Sequence, residues 1–135
     1  MARILLIDDD DELRGMLRAT LVYFGHTVIE ARDGKEGLAL FADAAADLVI
    51  TDIVMPEKEG LEILMALTGR EPPVKIIAIS GGGRVNAKDC LRVAQQLGAA
   101  KVLAKPFSNE VLIEAIDELL AGGEPPKQVI SRNSP

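Results

Sequence analysis

Short apolar runs alternate along the chain with segments in which apolar residues recur every three or four positions. Continuous runs such as Ile4-Leu5-Leu6-Ile7 are typical of strands that are buried on both faces of a parallel sheet. The runs predict five strands, at Arg3–Asp8, Thr27–Ala31, Asp47–Asp52, Val74–Ser80 and Lys101–Ala104.

The segments between the strands have the spacing of amphipathic helices. They predict a helix that Asp10 or Asp11 caps and Gly25 ends, three helices at about 35–44, 60–68 and 87–97, and a last helix after a Ser108 cap. Five strands alternating with five helices predict a doubly wound α/β fold with helices on both faces of the sheet. This domain spans residues 1–121, and the Gly- and Pro-rich residues 122–135 predict a flexible tail or linker.

Composition narrows the classes of protein that the chain can belong to. The net charge is -6, from 15 basic and 21 acidic residues without a basic cluster, so direct nucleic-acid binding is not expected. The one cysteine, Cys90, suits a reducing compartment and a buried, unreactive role. The apolar run at 4–7 is too short to cross a membrane, so we expect a soluble, cytoplasmic protein.

Polar side chains stand where several predicted strands end. The first strand runs into Asp8-Asp9-Asp10-Asp11, the third ends at Asp52, the fourth ends at Ser80, and Lys105 follows the fifth. Ligands of open parallel α/β sheets bind at the carboxyl ends of the strands, so these residues are expected to converge on one crevice.

The chemistry of this crevice favours a hard cation. Carboxylates of Asp8, Asp9 and Asp52 that share a small site repel one another unless a cation intervenes, and Mg²⁺ prefers such oxygen ligands together with a phosphate. Lys105 can neutralise an aspartate and hold phosphate oxygens, and the Ser80 hydroxyl can bond a phosphoryl oxygen. Taken singly, the aspartates also read as a helix cap, Lys105 as a surface lysine and Ser80 as an ordinary strand end.

Two other kinds of site fit the sequence less well. A dinucleotide site presents glycines and backbone N–H groups after the first strand, whereas this turn presents four acids that repel phosphate. A Ser-His-Asp triad is implausible because the single histidine, His26, follows the first helix, at the opposite end of the molecule. His26 is therefore expected to be structural or exposed.

Four motifs combine in one order along the chain: Ile-Asp-Asp at 7–9, Asp-Ile-Val-Met-Pro at 52–56 with Gly60, Ile-Ser-Gly at 79–81, and Lys-Pro-Phe at 105–107. In this combination the chain resembles the receiver domain of bacterial response regulators, over residues 3 to 120. The resemblance implies a (βα)5, flavodoxin-like fold with strand order 2-1-3-4-5.

The resemblance also implies roles for individual residues. Asp52 would accept a phosphoryl group from a sensor histidine kinase or a phosphotransfer protein. Asp9, Asp52 and the backbone carbonyl of Val54 would bind Mg²⁺, while Asp8 would hold metal-bound water or add to the site. Lys105 would pair with the acyl phosphate, and its peptide bond to Pro106 would be cis. Ser80 would move to bond the phosphoryl group.

The resemblance implies a switch in two-component phosphorelay signalling, not an enzyme of general turnover. The acyl phosphate would be hydrolysable, so slow autodephosphorylation is compatible with it. A downstream protein would bind the face of the fourth helix, fifth strand and fifth helix, near Leu91, Val102 and Ile113. The resemblance also allows a homodimer that forms only on phosphorylation.

The sequence departs from the family pattern at two places. Val102 stands where the family usually has an aromatic residue, so the familiar inward turn of a ring cannot report phosphorylation here. The stretch at 81–86 is glycine-rich and longer than the common pattern, and we hypothesise that it is the mobile element instead.

Two alternatives use the same residues differently. A haloacid-dehalogenase-like phosphatase would start with Asp8-x-Asp10, but Glu12 stands where its hydroxyl residue is expected, and the chain is short for a cap domain. A degenerate receiver would keep the fold as a docking surface only. Binding of Mg²⁺ separates this last alternative from a working switch.

Overall fold

The protein folds as a parallel sheet with helices packed on both faces. The structure, a computed structural model, describes residues 2–43, 46–52, 65–67, 74–80, 98–105, 107–121 and 128–130. Its elements are, in chain order, β1 (Arg3–Ile7), α1 (Asp11–Tyr23), β2 (Thr27–Ala31), α2 (Gly34–Asp43), β3 (Leu48–Asp52), β4 (Ile76–Ser80), β5 (Lys101–Ala104), α3 (Asn109–Leu120) and β6 (Gln128–Ile130).

The strand order is β2-β1-β3-β4-β5-β6, and every neighbouring pair is parallel. All five predicted strands are present, and their order confirms the doubly wound fold. Helices α1, α2 and α3 are the first, second and fifth predicted helices. Residues 65–67 are helical, within the third, while the fourth prediction, at 87–97, and the stretch at 81–86 lie outside the described residues.

Alternate residues of each strand enter two separate cores, because successive side chains of a strand point to opposite faces of the sheet. The face covered by α2 buries one set, which includes Leu5, Ile7, Val49, Ile76 and Phe41. The face covered by α1 and α3 buries the other, which includes Ile4, Leu6, Ile50, Leu17 and Ile116. Burial on both faces explains why these strands read as continuous apolar runs.

Local signals set the ends of α1. The Asp10 carboxylate accepts a hydrogen bond of 3.1 Å from the backbone N–H of Leu13, which satisfies one of the free donors of the first turn. At the other end, Gly25 has φ of 94°, the left-handed conformation expected for the residue that stops the helix. The helix therefore starts immediately after the acidic loop, defined as Asp8–Asp10, and its first turn lies at the carboxyl edge of the sheet.

His26 lies at the far edge, where α1 leads into β2. Its side chain is buried, and its Nδ1 accepts a hydrogen bond of 3.2 Å from the N–H of Ala2. This contact ties the start of the chain to the α1–β2 connection. The structural interpretation of His26 agrees with its position.

Strand β6 differs from the expectation of a flexible tail. Residues 128–130, within the predicted tail, pair in parallel with β5 so that Val102 lies opposite Val129. Two β-branched residues, Val129 and Ile130, favour an extended backbone, and β5 offers an edge whose N–H and C=O groups need partners. The boundary at residues 121 and 122 stays a prediction.

The docking surface predicted near Val102 does not include the Val102 side chain. The side chain is fully buried in the core on the α2 face, together with Ala78 and Leu67. Because the side chains of a strand point to the faces of the sheet, Val102 lies in this core and does not reach solvent. Ile113 is half-buried, and Leu91 lies outside the described residues.

Among the described helices, none combines the length and apolar character needed to cross a bilayer.

Candidate functional site

The sheet brings the predicted site residues together at its carboxyl edge. In the β1–β3 pair Ile7 lies opposite Thr51, so Asp8 and Asp52 follow at the same level on neighbouring strands. Carboxylate oxygens of Asp8, Asp9 and Asp52 all lie within 4.8 Å of one another. Asp8 and Asp52 are buried, whereas Asp9 is exposed.

Lys105 reaches this cluster from beyond the end of β5. Its Nζ donates a hydrogen bond of 3.0 Å to Oδ2 of Asp52 and lies 3.7 Å from Oδ2 of Asp8. Its side chain is only 23% exposed, so the ion pair is partly shielded from solvent. The site thus holds three carboxylates and an ammonium group, and a surface role for Lys105 does not fit this geometry.

Asp8 is the most constrained of the three carboxylates. Its N–H donates to the carbonyl of Ala31 at 3.1 Å, and its Oδ1 accepts from the N–H of Asp10 at 2.9 Å. Its Oδ2 is buried and accepts no hydrogen bond within the described part of the chain. Burial raises the pKa of this carboxyl above its ordinary value of 3.8, and the charges of Asp52 and Asp9 raise that pKa further; the Asp10 N–H and Lys105 lower it.

The donor set suits a hard divalent cation. Oδ2 of Asp8 is buried without a hydrogen bond from the described residues and lies beside two further carboxylates. A bound cation would satisfy the lone pairs of this oxygen. Oxygen ligands and high negative charge favour Mg²⁺ over the softer transition metals.

Three sequence predictions cannot be placed in this geometry. Ser80 is the last residue of β4 and therefore ends at the same edge, but its side chain is outside what the structure describes. Val54, the predicted carbonyl ligand, and Pro106, the predicted cis proline, lie outside the described residues.

Arg14 is a part of the site that sequence reasoning missed. It is buried in the second turn of α1, and its Nη1 donates a hydrogen bond of 2.7 Å to the backbone carbonyl of Asp8. Its Nη2 and Nε donate to Asp11 at 2.6 Å and to Glu30 at 3.1 Å. A basic residue three to four positions after a run of acids was the available signal, because those positions share one helix face.

A groove of about 270 Å³ opens between α1 and α3, directly beside the site. Leu13, Met16 and Leu17 of α1 line one wall, and Phe107 lines the other. Lys105 lines the groove as well as contacting Asp52, so the groove and the acidic site share a side chain. Met16 is 63% exposed, so its side chain is accessible at this groove.

Comparison with known proteins identifies the family. The model of the response regulator receiver domain matches residues 4–117. The chain belongs to this family. The receiver domain is 35% identical to the transcriptional regulatory protein CpxR of Escherichia coli over 120 residues, which cover 89% of this chain and 50% of CpxR. It is 37% identical to the response regulator MprA of Mycolicibacterium vanbaalenii over 122 residues, 87% of this chain and 50% of MprA.

Solved structures agree with this assignment. A receiver domain protein from Clostridium thermocellum superposes with a TM-score of 0.81 at 31% identity, over 90% of this chain and 95% of that one. The chemotaxis response regulator CheY4 of Vibrio cholerae gives a TM-score of 0.77 at 29% identity, over 88% and 98% of the two chains. The receiver domain spans about half the length of the curated relatives CpxR and MprA. Its general role is that of a receiver in two-component signalling.

Proposed function

We propose that Asp52 accepts a phosphoryl group from a phosphohistidine of a partner histidine kinase or phosphotransfer protein, in a reaction that depends on Mg²⁺. One observation carries the proposal: a lysine ammonium group and two further carboxylates surround the Asp52 carboxylate. Three carboxylates this close together repel one another, so the arrangement favours the binding of a cation.

The chemistry requires one bond to form and one to break. A carboxylate oxygen of Asp52 attacks phosphorus, the bond from phosphorus to the histidine nitrogen breaks, and the imidazole leaves with that electron pair. Lys105 moves its hydrogen bond from the Asp52 carboxylate to a phosphoryl oxygen, which offsets the charge brought in by the donor. When bound, Mg²⁺ supplies the remaining positive charge, held by Asp9, Asp52 and the Val54 carbonyl, with Asp8 as ligand or holder of bound water.

The groove between α1 and α3 supports an approach for the donor protein. Its lining is mostly apolar and includes Lys105, the side chain that contacts Asp52. A donor that packs on Met16 and Phe107 would bring its phosphohistidine to the open end of the site. Phosphorylation would then change the contacts of Lys105 and Ser80, and a downstream protein would respond at a surface that includes α3.

The test is the intact mass of the protein after incubation with acetyl phosphate, with and without Mg²⁺. We expect the gain of one phosphoryl group with Mg²⁺, no gain with EDTA, and no gain in Asp52→Asn. Asp43→Asn changes an exposed aspartate at the end of α2 and serves as the matched control, which should be labelled like the wild type. Labelling that persists in Asp52→Asn would refute the assignment of the acceptor.

A further inference from the structure

Arg14 connects three parts of the molecule at the acidic loop. It hydrogen-bonds the main chain of the loop at Asp8, the first turn of α1 at Asp11 and strand β2 at Glu30. The guanidinium group has five N–H donors in a rigid plane, so one side chain can hold all three at once. Burying a charged arginine costs desolvation free energy, which its three contacts offset in different degrees.

The contact with Glu30 is shared by a second arginine. Arg18, one turn further along α1, places its Nε 3.3 Å from Oε2 of the same carboxylate, and its side chain is 52% exposed. Loss of Arg14 would therefore leave Glu30 with one arginine partner. The contact with Asp11 joins a side chain that is 78% exposed, where an ion pair contributes little.

The contact with the Asp8 carbonyl is different in kind. It is short, it is charge-assisted, and it holds main chain between Asp8 and Asp9, two of the clustered carboxylates. The Asp8 N–H is held by Ala31 on the other side, so both peptide groups that flank Asp8 are fixed. Fixing the Asp8–Asp9 peptide plane sets the direction in which the exposed Asp9 side chain leaves the loop.

We propose that Arg14 is a positioning residue of the acceptor site, which holds the Asp8–Asp9 peptide so that both carboxylates face Asp52. The proposal rests on the proposed Mg²⁺-dependent function. Arg14 does not touch the reacting atoms, and its effect passes through the main chain of the loop.

The positive charge of Arg14 and its hydrogen bond to the loop should affect Mg²⁺ affinity in opposite directions, so a binding measurement separates the two roles. If Arg14 acted only through its positive charge, removing it would make the site more negative and would tighten Mg²⁺ binding. If Arg14 positions the loop, removing it frees the peptide and weakens binding. Partners that orient metal ligands typically change metal affinity by about 10-fold or more when they are mutated.

The experiment compares Arg14→Gln and Arg14→Lys with Arg18→Gln, which also loses an arginine contact with Glu30 but leaves the Asp8 carbonyl bound. Calorimetric titration with MgCl₂ measures affinity, at a temperature at which circular dichroism shows every variant folded. A second readout is amide hydrogen exchange of Asp9 and Asp10 in EDTA, which needs no metal. We expect about 10-fold weaker Mg²⁺ binding and faster exchange at both amides in Arg14→Gln, partial recovery in Arg14→Lys, and wild-type behaviour in Arg18→Gln.

Two outcomes would overturn the role of Arg14. Unchanged or tighter Mg²⁺ binding in Arg14→Gln, with the wild type binding normally, refutes positioning and leaves the proposed function intact. Wild-type protein that binds no Mg²⁺ refutes the proposed function, and the role of Arg14 at a metal site with it.

Discussion

Nζ of Lys105 lies 3.0 Å from Oδ2 of Asp52, although strand β4 separates the two strands that these residues follow or end. The lysine therefore spans the width of a strand to reach the Asp52 carboxylate. In doing so it occupies an oxygen that a cation or a phosphoryl group also needs. We therefore expect Lys105 to weaken the binding of Mg²⁺ but to speed phosphoryl transfer.

Replacing Lys105 should separate those two consequences. Lys105→Gln removes a positive charge near the cation site, so we expect roughly fivefold tighter Mg²⁺ binding, the equivalent of the ~1 kcal/mol that a nearby unit charge is worth in water. The same variant should be labelled by acetyl phosphate about 100-fold more slowly, because a charge that stabilises the transition state is lost. Calorimetry and intact mass measure the two effects.

The matched control is Lys75→Gln. Lys75 donates to the carbonyl of Leu119 at the opposite edge of the sheet, so its loss should change neither quantity by more than twofold or so. Weaker Mg²⁺ binding in Lys105→Gln would contradict the competition between the ammonium group and the cation.

The buried Asp8 carboxyl predicts a pH dependence of stability in EDTA. Its pKa is raised in the folded state, so the folded state binds a proton more readily than the unfolded state does. The stabilisation from this group is present below the ordinary pKa of 3.8 and is lost as pH rises through the folded pKa. We expect the free energy of unfolding of Asp8→Asn to exceed that of the wild type by about 0.5–2 kcal/mol at pH 7. This difference should shrink towards pH 4.

Urea denaturation at a series of pH values measures this effect. Asp43→Asn, at an exposed position, should give a curve parallel to that of the wild type. Parallel curves for Asp8→Asn as well would show that Asp8 does not carry the pH dependence.

Two glycines in helices should respond to alanine in opposite directions. A Cβ at Gly15 of α1 meets nothing within 4 Å, so Gly15→Ala should raise the free energy of unfolding by about 0.5–1 kcal/mol through reduced backbone entropy. A Cβ at Gly37 of α2 meets Cδ1 of Ile7 at 2.5 Å and Cγ1 at 2.9 Å. Ile7 is fully buried directly before Asp8, so Gly37→Ala should lower that free energy by about 1–3 kcal/mol.

Urea denaturation of the two variants provides its own control, since each makes the same chemical change in a helix. Stabilisation by Gly37→Ala would mean that Ile7 can move aside without cost. In that case the close packing of α2 against the end of β1 would not help to hold the acidic loop in place.

Removing β6 should expose the edge of β5. A chain that ends at residue 127 loses the strand, whereas a chain that ends at residue 130 retains it and serves as the control. We expect the shorter chain to self-associate at lower concentration in sedimentation velocity, because an unpaired edge pairs with other chains. Identical sedimentation of the two chains would indicate that β6 does not protect this edge.

The sequence predicted the sheet well because burial on both faces leaves an unambiguous pattern. All five predicted strands are present, and Thr27–Ala31 and Lys101–Ala104 have the predicted bounds. Convergence of Asp8, Asp52 and Lys105 followed from topology alone, since carboxyl ends of parallel strands share an edge. Their roles in phosphoryl transfer stay predictions.

Features that depend on three-dimensional neighbours were not predictable in the same way. Arg14 reads as one more charged helix residue, and only the fold shows that it turns inward to a carbonyl. Val102 was predicted to lie near a docking surface, but its side chain packs into the core on the α2 face and is fully buried. Strand β6 lies in a segment in which glycine, proline and polar residues conceal a short β-branched stretch.

Strand β6 also determines the direction in which the main chain travels after the last helix. Helix α3 carries the chain away from Asp52, towards the edge of the sheet where the strands begin. Because β6 runs parallel to β5, with Ile130 opposite Leu103, the chain returns to the level of Asp52 before residue 131. In a longer protein built on this receiver, the main chain would therefore leave β6 at the carboxyl edge of the sheet, the edge at which Asp8, Asp52 and Lys105 lie.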